Sequence, residues 1–120
     1  MGALHNTATK TTHATTTRTN LLANGNPILQ VTDASSNVLV EVDPIALSAM
    51  GAGALEDWQF NVTGLPVVEE ATGSGNAAWV VLCDGNGDMV TKIAAAGLVS
   101  PLAIVSGKNV QFNSIVYSGV

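Results

Sequence analysis

From Pro27 onward, apolar and polar residues alternate in short runs separated by Gly, Pro, Asn and Asp. Ile28–Asp33 predicts a strand with Leu29 and Val31 on one face and Gln30 and Thr32 on the other. Val38–Asp43 alternates again, with Val38, Val40 and Val42 inward and Glu41 and Asp43 outward. The polar turn Ala34–Asn37 between them makes the pair a hairpin, and Pro44 closes it because proline cannot donate to a ladder. Trp58, Phe60 and Val62 alternate with Gln59, Asn61 and Thr63 in a third strand. A short run, Leu65–Glu70, leads into a Gly- and Ser-rich loop, Ala71–Asn76. Ala77–Cys83 is apolar at successive positions, the pattern of a central strand covered on both faces. It turns at Gly85-Asn86-Gly87 and returns as Asp88–Ile93, the clearest hairpin in the chain.

The remaining segments are less regular. Ile45–Asp57 predicts one helical turn or an irregular crossover, since Gly51 and Gly53 oppose a long helix. Pro101–Ser118 supplies two strands around a Ser106–Asn109 turn, and a loss of phase at Asn113-Ser114 reads as a β-bulge. Short strands at roughly ten-residue spacing with little helix predict an all-β domain, a β-sandwich or jelly-roll-like fold over residues 25–120.

Residues 1–24 differ from this body. The first twenty hold eight threonines and no acid, and their apolar residues show no period. Threonine is β-branched and a poor helix former, so the segment is expected to be an extended N-terminal arm, with at most a helical turn near Thr17–Ala23. Asn24-Gly25-Asn26-Pro27 ends it with turn residues.

Composition changes the picture in one respect. Apolar residues make up 47% of the chain and charged residues 11%, where about 25% charged is usual. Little like-charge repulsion holds copies apart, which favours an assembled subunit. The net charge of −5 opposes nucleic-acid binding, which needs a basic face. All acids lie from Asp33 to Asp88, whereas Lys10 and Arg18 sit in the arm. The arm of one copy is thus suited to the acidic body of a neighbour. The candidate partner-binding residues are Lys10, Thr15, Thr16, Thr17 and Arg18, together with the edge of the C-terminal strand. The first residues lack the apolar stretch of a secretion signal, so the sequon Asn61-Val62-Thr63 carries little weight. No apolar run has the length of a membrane span.

No residue set points to catalysis, a metal or a cofactor. Asp84-Gly85-Asn86-Gly87-Asp88 opens like a calcium loop, but Met89 and Ala95 stand where an EF-hand needs Gly and Glu. A tight hairpin demands the same residue types. His5 and His13 lie on the arm, where no neighbouring group completes a zinc set or holds a catalytic base rigid. Glu69 and Glu70 are adjacent and point to opposite faces of a strand. Gly73-Ser74-Gly75 lacks the lysine of a phosphate loop. Cys83 reads as a buried small hydrophobe. Trp58 and Trp79 could stack on sugars, but their apolar neighbours favour a core role.

The order of a threonine-rich opening, an alternating strand pair, Gly75-Asn76-Ala77-Ala78-Trp79 with Asp84 and Gly87, and a closing valine-rich strand pair resembles a group of small structural proteins encoded among the virion genes of tailed bacteriophages. The matching positions are Gly75, Ala77, Trp79, Asp84 and Gly87, and the likeness covers Pro27–Asp43 and Gly75–Tyr117. Ile45–Asp57 departs from it. The resemblance implies a virion protein without an active site: a head decoration (cement) protein, or a neck, tail or fibre-base component. It also implies binding across major capsid protein subunits and self-association in clusters such as trimers. A sugar-binding sandwich used for attachment is the reading from another class.

Overall fold

The structure is a computed structural model that describes residues 6–65 and 67–119. One helix, α1 (Thr7–Leu21), precedes the strands β1 (Ile28–Thr32), β2 (Val38–Val42), β3 (Ala46–Leu47), β4 (Gln59–Thr63), β5 (Val67–Glu70), β6 (Gly75–Asn76), β7 (Trp79–Cys83), β8 (Met89–Ala94), β9 (Val99–Ser100), β10 (Ala103–Ile104), β11 (Asn109–Phe112) and β12 (Val116–Ser118). The fold is mostly β. The strands form four small sheets in the orders β2-β1-β7-β8, β10-β6, β5-β11-β9 and β12-β4-β3. Every pairing among the described residues is antiparallel.

Both expected hairpins form. In β1–β2 the register slips between Val31 and Thr32, so Val31 faces Val40 while Thr32 faces Val38. The extra residue, Leu39, is buried, and Val38 faces solvent instead of pointing inward. β7 is central, between β1 and β8, and Val80, Val81, Leu82 and Cys83 are all buried. Val80 and Leu82 join Leu29, Val31, Phe60, Phe112 and Ile115 in one core shared by the larger sheets. Val81 and Cys83 pack on the opposite face with Ile28 and the half-buried Trp79.

The C-terminal region corrects the bulge reading. The loss of phase at Asn113-Ser114 is a change of sheet. β11 pairs with β5 and β9, and after Ile115 the chain pairs as β12 with β4. Asn113 anchors the corner, its amide N–H donating to the Leu98 carbonyl at 2.8 Å and its side-chain Nδ2 to the Gly97 carbonyl at 3.2 Å. Likewise the strands on either side of Ser106–Asn109 do not pair together, because β10 pairs with β6. Alternation shows which residues point inward, but it does not say which strand is the neighbour.

The N-terminal segment is the larger correction: Thr7–Leu21 is a helix, not an extended arm. Asn6 caps it, its Oδ1 accepting from the Thr9 N–H at 2.9 Å. Thr11, Thr12 and Thr17 turn their hydroxyls back onto the carbonyls of Thr7, Ala8 and His13 at 2.8, 3.0 and 3.0 Å, a local bond that threonine makes inside helices. Arg18 in the last turn complements the helix dipole. Against alanine, the eight threonines cost about 5 kcal/mol of helix propensity in sum, so the helix depends on docking. Its inward stripe is Lys10, Ala14, Thr17 and Leu21, at three- and four-residue spacing. Only Ala14 and Leu21 are apolar, and both are fully buried. A search for large apolar residues passes over such a stripe.

Candidate functional site

The five arm residues divide between inward and outward faces of α1. Lys10 places its Nζ 5.0 Å from the centre of the Trp58 ring. The Thr17 hydroxyl lies 3.2 Å from the Tyr117 hydroxyl. Arg18 donates from Nε to the Ser48 carbonyl at 2.8 Å. These three fasten the helix to Trp58 just before β4, to β12 and to the loop after β3. Thr15 and Thr16 face solvent on the other side. The edge of the C-terminal strand is present: among the described residues β12 pairs only with β4, and Val116 is 42% exposed.

The other sequence candidates are placed as follows. His5 lies outside the described residues. His13 is an exposed helix residue whose carbonyl accepts from Thr17. Among the described residues, no group of three or more His, Cys, Asp and Glu side chains gathers where a metal could be held. Glu69 and Glu70 face Val110 and Asn109 across the β5–β11 ladder. The Asn61 side chain sits in the middle of β4 with its Oδ1 buried, not on a surface loop. Neither tryptophan joins the main core. Both are half-buried, and each carries a lysine over its ring, Lys92 standing 4.3 Å from the centre of Trp79.

Asp84 organises the turn that resembled a calcium loop. Its Oδ1 accepts from the N–H groups of Asn86 at 2.9 Å and Asp88 at 3.1 Å, and its Oδ2 from the Asn24 side chain at 3.3 Å. The carboxylate's lone pairs are spent on the turn and on tying the helix exit to the β7–β8 hairpin. Gly85 completes this junction: its N–H donates to the Ala23 carbonyl at 3.3 Å, and a Cβ there would run into the Asn24 carbonyl. Desolvation pushes the Asp84 carboxyl up, but the amides of Asp88 and Asn86 and the Asn24 side chain outweigh it, so the net pKa is lowered. Asp33 is also lowered, chiefly by the Asn37 side chain and then by its backbone amide.

A carboxylate with a depressed folded pKa contributes stability that is present above its unfolded pKa, about 3.9, and is lost as pH falls through the folded value. Thermal stability is therefore expected to fall as pH drops below about 4. Asp84→Asn, which cannot titrate, is expected to be less stable at pH 7 and to show a shallower acid limb. Melting curves across that range check this, and an unchanged slope counts against the role given to Asp84.

Burial raises the Cys83 thiol to about 11, with smaller contributions from the charges of Glu41, Asp84 and Asp88, so at neutral pH it is a protonated, enclosed group.

The structure also shows a surface that alternation alone did not reveal. One register row crosses the largest sheet from edge to edge: Glu41, Gln30, Val81 and Lys92. Around it, Gln30, Thr32, Trp79, Val81, Met89 and Lys92 line a shallow depression of about 290 Å³. A second cleft, of about 380 Å³, lies between Val42, Pro44, Ile45, Thr63, Leu65 and Val67, and among the described residues that line it there is no acid, base or nucleophile beyond the Thr63 hydroxyl. No protein-family model, curated protein or solved structure matches the chain.

Proposed function

We propose that this chain is a non-enzymatic structural subunit of a virion, a capsid decoration or cement protein that binds across capsid subunits and stabilises the head. The observation that carries the reading is the chain's unused strand edges. β5 and β12 are end strands of their sheets, and each turns a valine to solvent, Val68 at 53% and Val116 at 42% exposure. An open edge with an apolar side chain adds strands or contacts from a neighbour. The low charge seen in the sequence acts in the same direction. We take the four-stranded sheet and the smaller sheets as the two layers of a sandwich-like body. On the outward face of α1, Thr15 and Thr16 are exposed. Weak contacts of this kind, repeated over a symmetric shell, add through multivalency.

The sugar-binding alternative is disfavoured by the lysines over Trp58 and Trp79, which occupy the ring faces a sugar would stack on. A tail, neck or fibre-base position uses the same edges. The test is to mix the purified chain with capsid shells lacking it and to sediment the mixture. Saturable binding at a fixed number per capsid subunit supports decoration. Absence of binding, with copurification on isolated tails, moves the chain to the tail.

A further inference from the structure

The outer face of the β2-β1-β7-β8 sheet is mixed at its centre, where Ile28, Trp79, Val81 and Cys83 stand beside Gln30 and Thr32, and one register row carries a charge on each edge, of opposite sign. Ile28, Val81 and Cys83 form a small buried cluster there with Trp79 packed against it. Met89, beside Cys83 in the ladder, is 62% exposed. Glu41 stands on the β2 edge, its Oε2 accepting from Gln30 Nε2 at 3.0 Å. Lys92 stands on the β8 edge, laid over Trp79. The Gln30 bond and the Trp79 contact fix both charges on this face, and the register fixes them in one row.

From this arrangement we infer that the face pairs with the same face of a second copy, about a two-fold axis running along the strands between β1 and β7. That operation exchanges the sheet edges. Glu41 of each copy then lies opposite Lys92 of the other, and Gln30 opposite Val81. In the neighbouring row Val38 lies opposite Ala94, and Thr32 opposite Trp79. The contact is isologous, as two-fold pairs require. β2 and β8 stand about 7 Å from such an axis at the usual strand spacing. A crossing angle near 30° between stacked sheets offsets the facing charges by about 4 Å, within reach of Glu and Lys side chains. An axis at right angles would set Glu41 against Glu41 and Lys92 against Lys92, so the charge pattern selects one orientation.

The face is small. Four strands of about five residues span roughly 19 by 17 Å, well below the area of a standard stable interface. The pair is therefore weak in free solution and gains by repetition in an assembly. This deepens the proposed assembly role by naming a self-contact. Such pairing closes at two copies, so a trimer would need another surface.

The test is charge reversal. Sedimentation equilibrium of the full chain at about 0.1 to 1 mM and low salt is expected to show a monomer–dimer equilibrium that weakens as salt rises. Glu41→Lys and Lys92→Glu each place like charges at both contacts, and each alone is expected to lose about tenfold or more in association. Mixed one to one, the two single variants set opposite charges against each other at both contacts again, so a heterodimer returns. The double variant Glu41→Lys/Lys92→Glu is expected to pair with itself as the wild type does. Circular dichroism confirms that each variant is folded. A wild type that stays monomeric at 1 mM, or a mixture no better than its components, overturns the inference. Binding of the monomeric single variants to capsid shells is scored separately, so failure of self-pairing and failure of the decoration reading are told apart.

Discussion

Gly119→Ala is expected to lift α1 off the body. Gly119 is held on one side, its N–H donating to the Trp58 carbonyl at 2.8 Å as an extension of the β12–β4 ladder. On the other side the helix comes so close that a Cβ would overlap the Lys10 carbonyl and press on the Ala14 methyl. Both neighbours are backbone or a buried methyl, so no flexible side chain can yield. The helix, with its poor propensity, is the partner that moves. An overpacking cost of about 2 kcal/mol charged to docking raises the undocked population about thirtyfold. Trypsin reads this directly, because it cuts after Lys10 and Arg18, and the Arg18 side chain is engaged with Ser48 in the docked state. Cleavage at these two sites is expected to accelerate about thirtyfold where opening is fast relative to cutting, while cleavage at Lys92 and Lys108 changes little. Equal acceleration at all four sites would mean that the whole domain, and not the helix, has been loosened.

This dependence on small residues explains which parts of the fold were legible in the sequence. Leu29, Val31, Phe60, Val62, Val80 and Leu82 announce themselves by size and period, and all lie in the core. The β1–β2 and β7–β8 hairpins follow from that period and from their turn residues. The helix does not, because its docking stripe is Lys10, Ala14, Thr17 and Leu21, and because it meets a glycine at the opposite end of the chain. A contact between residues 10 and 119 leaves no local trace. The same holds for the partner of each short strand: nothing near Asn113 states that β12 will pair with β4 and not with β5. The Glu41–Lys92 row was hidden for a related reason. Each charge was visible, but their alignment depends on three successive ladder registers.

The helix also rests on the core beneath it, which makes Phe60→Ala the most damaging single change expected here. Phe60 is fully buried, and its ring stacks on Tyr117 with centroids 5.1 Å apart and planes 26° from parallel. The Tyr117 hydroxyl is in turn 3.2 Å from the Thr17 hydroxyl on α1. Removing the Phe60 ring leaves a cavity under Tyr117 and costs about 3 to 5 kcal/mol, a large share of the roughly 5 to 15 kcal/mol that a domain of this kind possesses. At about 4 °C per kcal/mol, the melting temperature is expected to fall by about 12 to 20 °C. Phe60→Leu, which keeps most of the volume, is expected to lose less than half as much. Gly119→Ala and Phe60→Ala both act on the helix, so they are not additive. With Tyr117 free to sink toward the cavity, the helix is already loosened, and Gly119→Ala should cost less in the Phe60→Ala background than alone. A double-mutant cycle by urea denaturation measures this coupling. Strict additivity would show that the Phe60–Tyr117–Thr17 path does not link the core to the helix.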